Sequence, residues 1–411
     1  MSVIELPIGN SRWTVEVPPE RLVTVSPSIA PSPPITQPRL AVRDAMEKPL
    51  RFDHPLRRAL TPDDRVALVI DEQLPRLGEL VAGVLEYLAQ AGIGPASVTI
   101  LTTPRAAPST WIDELPDEFA DVQTEVHHPG DRKQLCYLSA TKQGRRVYMN
   151  RTLVDADQII SLSGRRYEPL LGYAGCEASI YPAFSDDETY RVVGQPGSIE
   201  APKPQADGIR AEAAEIVWLL GSVIFIQVIE GEGDDIAQIA AGLLPTTEDG
   251  VRLLDERWRF RIAEPADVVL ATLGGDPARQ DLASLAQVAL AASRVVKPGG
   301  KIVLLSEVEA ELSDGFELLR RMDEPMPALK RLLEKKPPDL PNAFAWMTAA
   351  EKGHLYLASG LKPELVEELF ATPIVSPIEV QRLIDQGGSC LLLRDAQKCL
   401  VEIEDKGEPG A

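Results

Sequence analysis

The stretch SLSGRRYEPLLGYAGCEASIYP, residues 161–182, is the part of the chain from which the fold and the site are most readily inferred. It continues an apolar run that includes Ile159, Ile160 and Leu162 and resembles a buried strand, and it then becomes rich in glycine and tyrosine. In α/β proteins the carboxyl ends of parallel strands open onto a crevice where ligands bind. The stretch therefore predicts a ligand-binding loop, with an ordinary surface loop containing turn glycines as the alternative.

Two strand–helix–strand units flank this loop. The first starts with the continuous apolar run 66–70, ends that strand at Asp71 and reaches a second strand at 98–101. The second unit has strands at 266–271 and 301–305. Such units predict parallel sheets with right-handed crossovers. We therefore predict an α/β fold with mainly parallel sheets, and the length of 411 residues predicts two domains.

Three further segments carry local signals. Apolar residues at helical spacing, Ile236, Ile239, Ala240 and Leu243, predict a short amphipathic helix. The segment 390–402 has the pattern of a closing β-hairpin. Ser-Pro-Ile-Glu at 376–379 is a capping box with proline at the first helical position, so a helix is expected to begin there.

Composition limits the classes of partner. The net charge is −20, from 42 basic and 62 acidic residues, which argues against nucleic acid and anionic membranes as partners. No apolar run reaches the length of a membrane span, and the first residues lack the pattern of a signal peptide. The four cysteines are far apart and form no C-x-x-C pair, so no metal site is predicted and reduced thiols in a cytoplasmic protein are expected.

Several short segments carry a family resemblance through their order and spacing along nearly the whole chain. They are Val69-Ile70-Asp71 with Pro75, the run 135–150, Ala156-Asp157, Gly172-Tyr173-Ala174-Gly175 with Ile180 and Pro182, the strand 266–269, Gly274-Gly275-Asp276-Pro277 and the turn 296–300. Together they resemble the nickel-pincer-nucleotide-dependent lactate racemase family, whose members are isomerases of the racemase and epimerase class. The resemblance implies two α/β domains with the site in the cleft between them. We place the lactate-racemase-like N-terminal domain at residues 1–258 and the C-terminal α/β domain at 259–411.

The chain departs from the family at the positions that hold the cofactor. In the family's D-x-x-R-P loop, which holds the cofactor phosphate, Asp71 and Pro75 match, but Leu74 replaces the arginine and Arg76 is the nearest cation. The lysine that joins the nickel pincer nucleotide covalently falls at Ala178, and the nickel-ligating histidine falls at Gly194. We therefore predict neither the pincer cofactor nor a metal.

The family's proton-transfer residues are also replaced. Its T-H-R-P histidine falls at Ala106, and its P-H histidine falls at Leu170. A glutamine and a lysine of the family fall at Ser284 and Gln287. Racemisation by removal and return of a hydride needs a hydride acceptor and a base on each face of the substrate carbon. The resemblance thus implies a divergent site at which pincer-dependent lactate racemisation is not expected, and it leaves open whether the protein is an enzyme.

Other polar side chains in and around the loop suit recognition of a small anion, because paired arginine and tyrosine bind carboxylates and phosphates. The candidate ligand-binding residues are Asp71, Arg76, Arg105, Arg165, Arg166, Tyr173, Arg191 and Trp346. Glu168 and Glu177 are candidates for an acid and a base, and the catalytic residues are otherwise unknown. The alternative is that arginines and glutamates pair with one another across a solvated loop.

Three hypotheses follow. In the first, a lactate-racemase-like protein binds a small anionic hydroxy acid or related ligand in the cleft, and acts on it, if it is an enzyme, through replacement residues. In the second, a non-catalytic relative binds a small anion or a protein partner there. The third, a methyltransferase-like role, rests only on the turn at 296–300 before a strand, and the glycine-rich loop that such a role needs is missing.

Overall fold

A computed structural model of the chain describes residues 1–9, 11–25, 33–104, 110–142, 144–169, 171–193 and 208–404. The strands are β1 (Ser2–Ile8), β2 (Ser11–Val17), β3 (Leu22–Val23), β4 (Val66–Ile70), β5 (Val98–Thr102), β6 (Gln123–Val126), β7 (Leu135–Ala140), β8 (Arg146–Asn150), β9 (Gln158–Gly164), β10 (Tyr167–Glu168), β11 (Gly172–Tyr173), β12 (Val223–Glu230), β13 (Ile236–Gly242), β14 (Arg259–Ile262), β15 (Ala266–Thr272), β16 (Val296–Leu305), β17 (His354–Ala358), β18 (Ala371–Pro373), β19 (Cys390–Leu393) and β20 (Leu400–Ile403). The helices are α1 (Pro38–Glu47), α2 (Leu77–Gln90), α3 (Arg151–Asp155), α4 (Glu177–Ile180), α5 (Asp187–Val193), α6 (Gly208–Leu219), α7 (Thr247–Trp258), α8 (Leu282–Val295), α9 (Asp314–Leu319), α10 (Pro325–Lys335), α11 (Leu340–Lys352), α12 (Pro363–Glu368) and α13 (Pro377–Asp385).

The first large sheet has the strand order β13-β12-β9-β4-β5-β6. All of its neighbours pair in parallel except β12 and β13, which are antiparallel. Strand β4 is buried at all five residues, because helices α1 and α2 cover one face of the sheet and a second core that includes Tyr181, Phe184 and Ile216 covers the other. Burial on both faces explains the uninterrupted apolar sequence of this strand.

The second large sheet is entirely parallel, with the order β18-β17-β16-β15-β19-β3. Helices α8 and α11 cover one face, and the β1–β2 hairpin and α13 cover the other. Strand β3 comes from the beginning of the chain and pairs with β19, so residues 2–23 lie with the second sheet. The division at residue 258 stays a prediction.

The α/β fold with mainly parallel sheets is confirmed, and both sheets direct the carboxyl ends of their central strands toward one cleft. In the first sheet the strand order reverses between β4 and β9, and in the second between β15 and β19. Open α/β sheets bind ligands outside strand ends at such switch points. The loops after β9, β12, β15 and β19 all contribute residues to one cavity in this cleft.

Two local predictions are wrong. The segment predicted as a short amphipathic helix is strand β13, paired with β12. The segment predicted as a closing hairpin contains β19 and β20, which pair in parallel with β15 and β14 and not with each other. The capping box is confirmed, because the Glu379 carboxylate accepts from the backbone N–H of Ser376 at 3.1 Å at the start of α13. Among the described residues, no helix combines the length and apolar character required to span a bilayer.

Candidate functional site

The cleft between the two sheets holds a cavity of about 260 Å³. Its walls come from loops at strand ends in both sheets and from the first turns of α8. The lining residues are Gln73, Arg166, Tyr167, Glu168, Pro169, Ala174, Glu230, Gly233, Leu273, Gly274, Gly275, Asp276, Arg279, Gln280, Asp281, Ala283, Ser284, Gln287, Asn342, Gln397 and Lys398. Most of these side chains are polar, and the volume suits a small ligand and not a nucleotide-sized one.

Arg166 is the central cation of this wall. Its Nη1 donates to Asp71 Oδ2 at 2.5 Å, and its Nε donates to Glu230 Oε1 at 2.6 Å. The third nitrogen, Nη2, is buried and has no hydrogen-bond partner among the described residues. Gly164 permits this position, because a Cβ there would lie 2.7 Å from the guanidinium carbon. Arg166 therefore lines the cavity with two nitrogens bonded to carboxylates and a third, buried nitrogen that has no acceptor among the described residues.

The two carboxylates that fix Arg166 are held ionised. Asp71 also accepts from the backbone N–H of Gly164 at 3.1 Å and of Gln73 at 2.9 Å. Burial alone would raise the pKa of Asp71, but the Arg166 charge and these hydrogen bonds outweigh it and lower the pKa. Burial likewise opposes ionisation of Glu230, and the charges of Arg166 and Lys398 overcome it and lower its pKa.

Lys398 and Asp395, in the turn after β19, join the second sheet to the first. The Lys398 amine donates to the carbonyl oxygens of Gly231 at 2.8 Å and Gly233 at 2.6 Å, and it lies 3.6 Å from Glu230 Oε2. Asp395 accepts from the backbone N–H of Gly233 at 3.1 Å. This turn thus fixes the loop after β12 from the opposite side of the cleft.

A second set of contacts crosses the cleft beside the cavity. Arg279 donates to the Gln73 carbonyl at 2.7 Å and forms an ion pair with Asp234. The Gln73 side chain in turn donates to Asp281 Oδ2 at 3.0 Å, at the start of α8. The loop after β4 is therefore tied to the second sheet as well as to its own.

Two tyrosines of the glycine-rich loop share one acceptor on α7. The hydroxyl of Tyr167 donates to Asp255 Oδ1 at 2.7 Å, and that of Tyr173 donates to Asp255 Oδ2 at 3.2 Å. Burial and the Asp255 charge raise the pKa of both hydroxyls, so both stay protonated at neutral pH. These bonds hold the loop against α7 and thereby restrain Glu168, which lies between the two tyrosines in sequence.

The comparisons with known proteins agree with this geometry. A family model described as the lactate racemase N-terminal domain matches residues 8–193. The lactate racemase of Thermoanaerobacterium thermosaccharolyticum is 21% identical over 398 residues, which cover 91% of this chain and 92% of that protein. The solved lactate racemase apoprotein from the same organism has a TM-score of 0.77 at 17% identity, covering 98% of this chain and 100% of its own. Residues 8–193 match the lactate racemase N-terminal domain, and the chain as a whole is lactate racemase-like in sequence and fold. A solved Thermotoga maritima protein has the same fold as this lactate racemase-like chain, with a TM-score of 0.67 and 13% identity over 92% of this chain and 100% of that one.

In this lactate racemase-like protein, three of the residues singled out from the sequence meet at the cavity. Arg166 and Glu168 line it, and Asp71 lies behind Arg166 as its ion-pair partner. Glu168 also accepts a hydrogen bond from the backbone N–H of Leu171, which fixes its carboxylate. These three side chains come from the ends of β4 and β9 and the short strand β10.

The structure places the other predicted residues elsewhere. Arg165 is only 3% exposed, and its guanidinium donates to the carbonyls of Ala174, Gly175 and Thr247 at 3.1 to 3.2 Å. It faces a separate space of about 20 Å³, lined also by Tyr173, Glu177 and Ala178.

Three further candidates lie away from the cavity. Arg76 pairs with Glu79 at 2.7 Å and donates to two backbone carbonyls before α1. Trp346 is fully buried in the core of the second sheet, where its indole N–H donates to the Leu369 carbonyl at 2.8 Å. Arg191 is exposed on α5. Arg105, with Ala106, and the positions Leu170 and Gly194 lie outside the described residues.

Glu230, Lys398 and Arg279 are functional candidates that the sequence argument missed. Glu230 ends a β-branched strand, so the strand-end rule that selected Asp71 would also have selected it. Lys398 lies in the segment predicted as a hairpin, and Arg279 lies in a turn with no motif. Their positions depend on how the two sheets face each other, which the sequence pattern does not report.

Proposed function

We propose that this lactate racemase-like protein binds a small hydroxy acid in the cavity between its sheets. Arg166 carries the proposal, because its guanidinium lines the cavity and its buried Nη2 has no acceptor among the described residues. A carboxylate of the ligand pairs with this guanidinium at the cavity wall. Hydroxyl groups of the ligand then form hydrogen bonds with the carboxylates and amides that line the rest of the cavity.

The acidic lining narrows the ligand class. Glu168, Glu230, Asp276 and Asp281 face the same space as the cations, and Arg166 is already paired with two carboxylates. A phosphate dianion would be repelled by these carboxylates. In a polyhydroxy monoacid, the single carboxylate can pair with the cations, and the hydroxyl groups can donate hydrogen bonds to the carboxylates. A polyhydroxy monoacid of sugar-acid size therefore fits better than a phosphorylated compound.

The residues present do not fit the nickel pincer nucleotide that the family resemblance implies. Ala178 has no amine to join the cofactor and lies beside the 20 Å³ space, outside the main cavity. Leu74, where the family has an arginine, is buried in the apolar core, and Arg76 is occupied by Glu79. No cluster of three metal-ligating side chains occurs among the described residues. The proposed function therefore does not involve the nickel pincer nucleotide.

The lining of the cavity favours one glutamate as the acid–base group if the bound acid is turned over. Glu168 lines the cavity, whereas Glu177 lies at the separate small space. Glu168 is thus the acid–base candidate that the geometry supports, and Glu168→Gln should abolish turnover while retaining binding. A Glu177→Gln variant with the same loss would contradict this assignment.

Calorimetric titration with lactate, glycerate and gluconate, each beside its neutral amide, tests the binding proposal. We expect at least one acid to bind with one-to-one stoichiometry, and its amide roughly tenfold more weakly, since a charged hydrogen bond contributes about 1.5–3 kcal/mol. Ala283→Phe, which fills the cavity, should abolish binding. Ala278→Phe, on the exposed turn nearby, is the matched control and should not.

Two results would overturn these proposals. The absence of saturable binding by any acid would favour the alternative, a relative that serves a protein partner. Stoichiometric nickel in the purified protein would contradict the argument that the pincer is lost. A cytoplasmic location is part of the proposal and is supported by the four free cysteines, three of which are buried.

A further inference from the structure

A second cavity, of about 640 Å³, lies on the other side of the turn that carries Lys398. Its walls are formed by the beginning of the chain, the end of α7, β14 and the turn after β19. The lining residues are Val3, Ile4, Glu5, Leu22, Thr24, Val25, Glu232, Arg257, Trp258, Phe260, Leu392, Arg394, Asp395 and Cys399. Its volume is within the range of small-molecule sites, and none of the cations that line the first cavity lines this one.

Apolar side chains form most of this lining. Trp258 and Phe260 pack edge to face, with ring centroids 6.4 Å apart, and both are more than nine-tenths buried. Leu22 and Leu392 come from neighbouring strands of the second sheet. Such a surface binds hydrocarbon or an aromatic ring, because burying apolar area is favourable in proportion to the area.

Arg257 is the unusual polar group of this cavity. Its guanidinium lies 5.6 Å from the centroid of the Trp258 ring, and its Nε is buried without a hydrogen-bond partner. No ion pair of Arg257 occurs among the described residues, and burial lowers its pKa because the carboxylates of Glu232, Asp235 and Asp395 compensate only in part. Arg257 is thus a partly buried cation on an aromatic ring beside an apolar wall, with carboxylates near it but no direct ion pair among the described residues.

Arg394, the other cation of the lining, differs in this respect. Its Nη2 donates to the backbone carbonyl of Glu5 at 3.0 Å, and the side chain is exposed. The anionic group of a ligand is therefore expected at Arg257.

We propose that this second cavity binds an apolar monocarboxylate, with its carboxylate on Arg257 and its hydrocarbon chain or ring on Trp258, Phe260 and Leu392. The bidentate geometry of a guanidinium matches a carboxylate. The carboxylates of Glu5, Glu232 and Asp395 line the same space and disfavour a dianion such as phosphate. A ligand with one carboxylate and an apolar chain or ring can pair with Arg257 and also pack against the apolar side chains of the lining.

The site is separate from the hydroxy-acid cavity but shares a wall with it. Asp395 and Glu232 face the second cavity, while their neighbours Lys398, Gln397 and Gly233 face the first. Because apolar side chains are more numerous in the second lining than in the first, each ligand is expected to prefer its own cavity.

Calorimetric titration of the full chain with hexanoate and hydrocinnamate, each beside its neutral amide, tests this site. We expect one-to-one binding of the acids, and roughly tenfold weaker binding of the amides. Arg257→Gln should weaken binding of the acids by a similar factor. Arg252→Gln is the matched control on the same helix, because Arg252 is exposed and pairs with Glu256 at 2.6 Å, and it should change nothing.

A second variant keeps the proposal testable if Arg257→Gln does not fold. Thr24→Trp, at an exposed position of the lining, should fill part of the cavity and weaken both acids. Ala283→Phe, in the first cavity, should leave them unaffected. The proposal is overturned if neither acid gives saturable heat, or if Arg257→Gln and Thr24→Trp both bind as tightly as the wild-type protein.

Discussion

Arg166 concentrates the electrostatics of the cleft in one side chain. It compensates two carboxylates, Asp71 and Glu230, whose pKa values it lowers against the effect of burial. Removing one partner from a buried ion pair leaves the other charge uncompensated, which costs more than the pair contributes. The same residue thus supports the fold and lines the cavity, so its replacement affects both stability and ligand binding.

An Arg166→Met variant separates these effects through pH. At pH 7 the loss should be about 3 kcal/mol of unfolding free energy, because two buried carboxylates lose their cation. The folded-state pKa values of Asp71 and Glu230 lie below their unfolded values near 4, so ionisation of these groups stabilises the wild-type protein above that pH. This stabilisation is lost as the pH falls through the folded-state pKa values. In the variant those pKa values rise instead, so the penalty should shrink toward pH 4. Urea unfolding at both pH values measures this, and a pH-independent penalty would contradict it.

Cysteine reactivity gives a second test at the residue scale. Burial raises the pKa of Cys176 to about 12 and of Cys390 to about 11, and it also raises that of Cys399. Only the thiolate reacts with a disulfide reagent, so these three thiols should stay unmodified in the folded protein. Cys136 is partly exposed. Titration should give one reactive thiol in native conditions, four in urea, and none in native Cys136→Ser.

At the scale of elements, the strand ends were accessible to sequence reasoning and the strand partners were not. The apolar run 66–70 predicts strand β4 correctly, and Asp71 was selected because it is the first residue after that strand. In contrast, 236–243 has apolar residues at helical spacing, yet β12 and two backbone contacts, from Ile35 and Leu50, hold it as β13. Tertiary pairing outweighs intrinsic preference when a long buried strand offers a free edge.

The segment 390–402 shows the same limit with a consequence for function. Two apolar runs separated by a turn are typical of a hairpin. Here each run pairs in parallel with a different strand, and the turn between them enters the cleft with Asp395 and Lys398. A pattern of alternation identifies strands but does not report which neighbour accepts their hydrogen bonds. The sequence pattern therefore could not predict that Asp395 and Lys398 contribute to the cleft.

His127 joins two elements and should make their contact sensitive to pH. At the end of β6, its Nε2 lies 2.9 Å from the Ser185 carbonyl, and Asn150 Nδ2 lies 3.3 Å from Nδ1, so the ring is neutral with the proton on Nε2. Burial lowers its pKa. The unfolded chain takes up a proton near pH 6.5 that the folded chain does not, so stability falls as the pH drops below that value. In His127→Gln, the slope of unfolding free energy between pH 7 and 5 should be smaller, whereas His54→Gln, at an exposed position, should retain it.

At the scale of the whole molecule, two sheets meet through polar contacts between strand ends and through an apolar contact, in which Tyr167, Tyr173 and Ile229 join the core of the second sheet. The clusters that pack around each sheet are apolar, whereas the cleft is crossed by Lys398, Asp395, Arg279 and Gln73. Polar contacts are directional, so they fix the relative position of the sheets more than they stabilise either one. This arrangement leaves a cavity for a small ligand, and the charge of the ligand can interact with residues from both sheets.

Lys398 is the residue at which this argument can be tested most directly. It is 4% exposed, and its amine holds two carbonyls of the loop after β12 beside two carboxylates. Lys398→Met keeps the length of the side chain but leaves those groups unpaired, at a cost of about 3 kcal/mol. Because they lie at the junction, hydrogen exchange should increase in 231–235 and 394–398 well before it increases in β4. Lys301→Met is the control and should leave both segments protected, because the Lys301 amine donates to the Leu383 carbonyl and to Gln386, both in the second half of the chain. Equal acceleration throughout β4 would show instead that the two sheets unfold as one unit and that the junction has no separate stability.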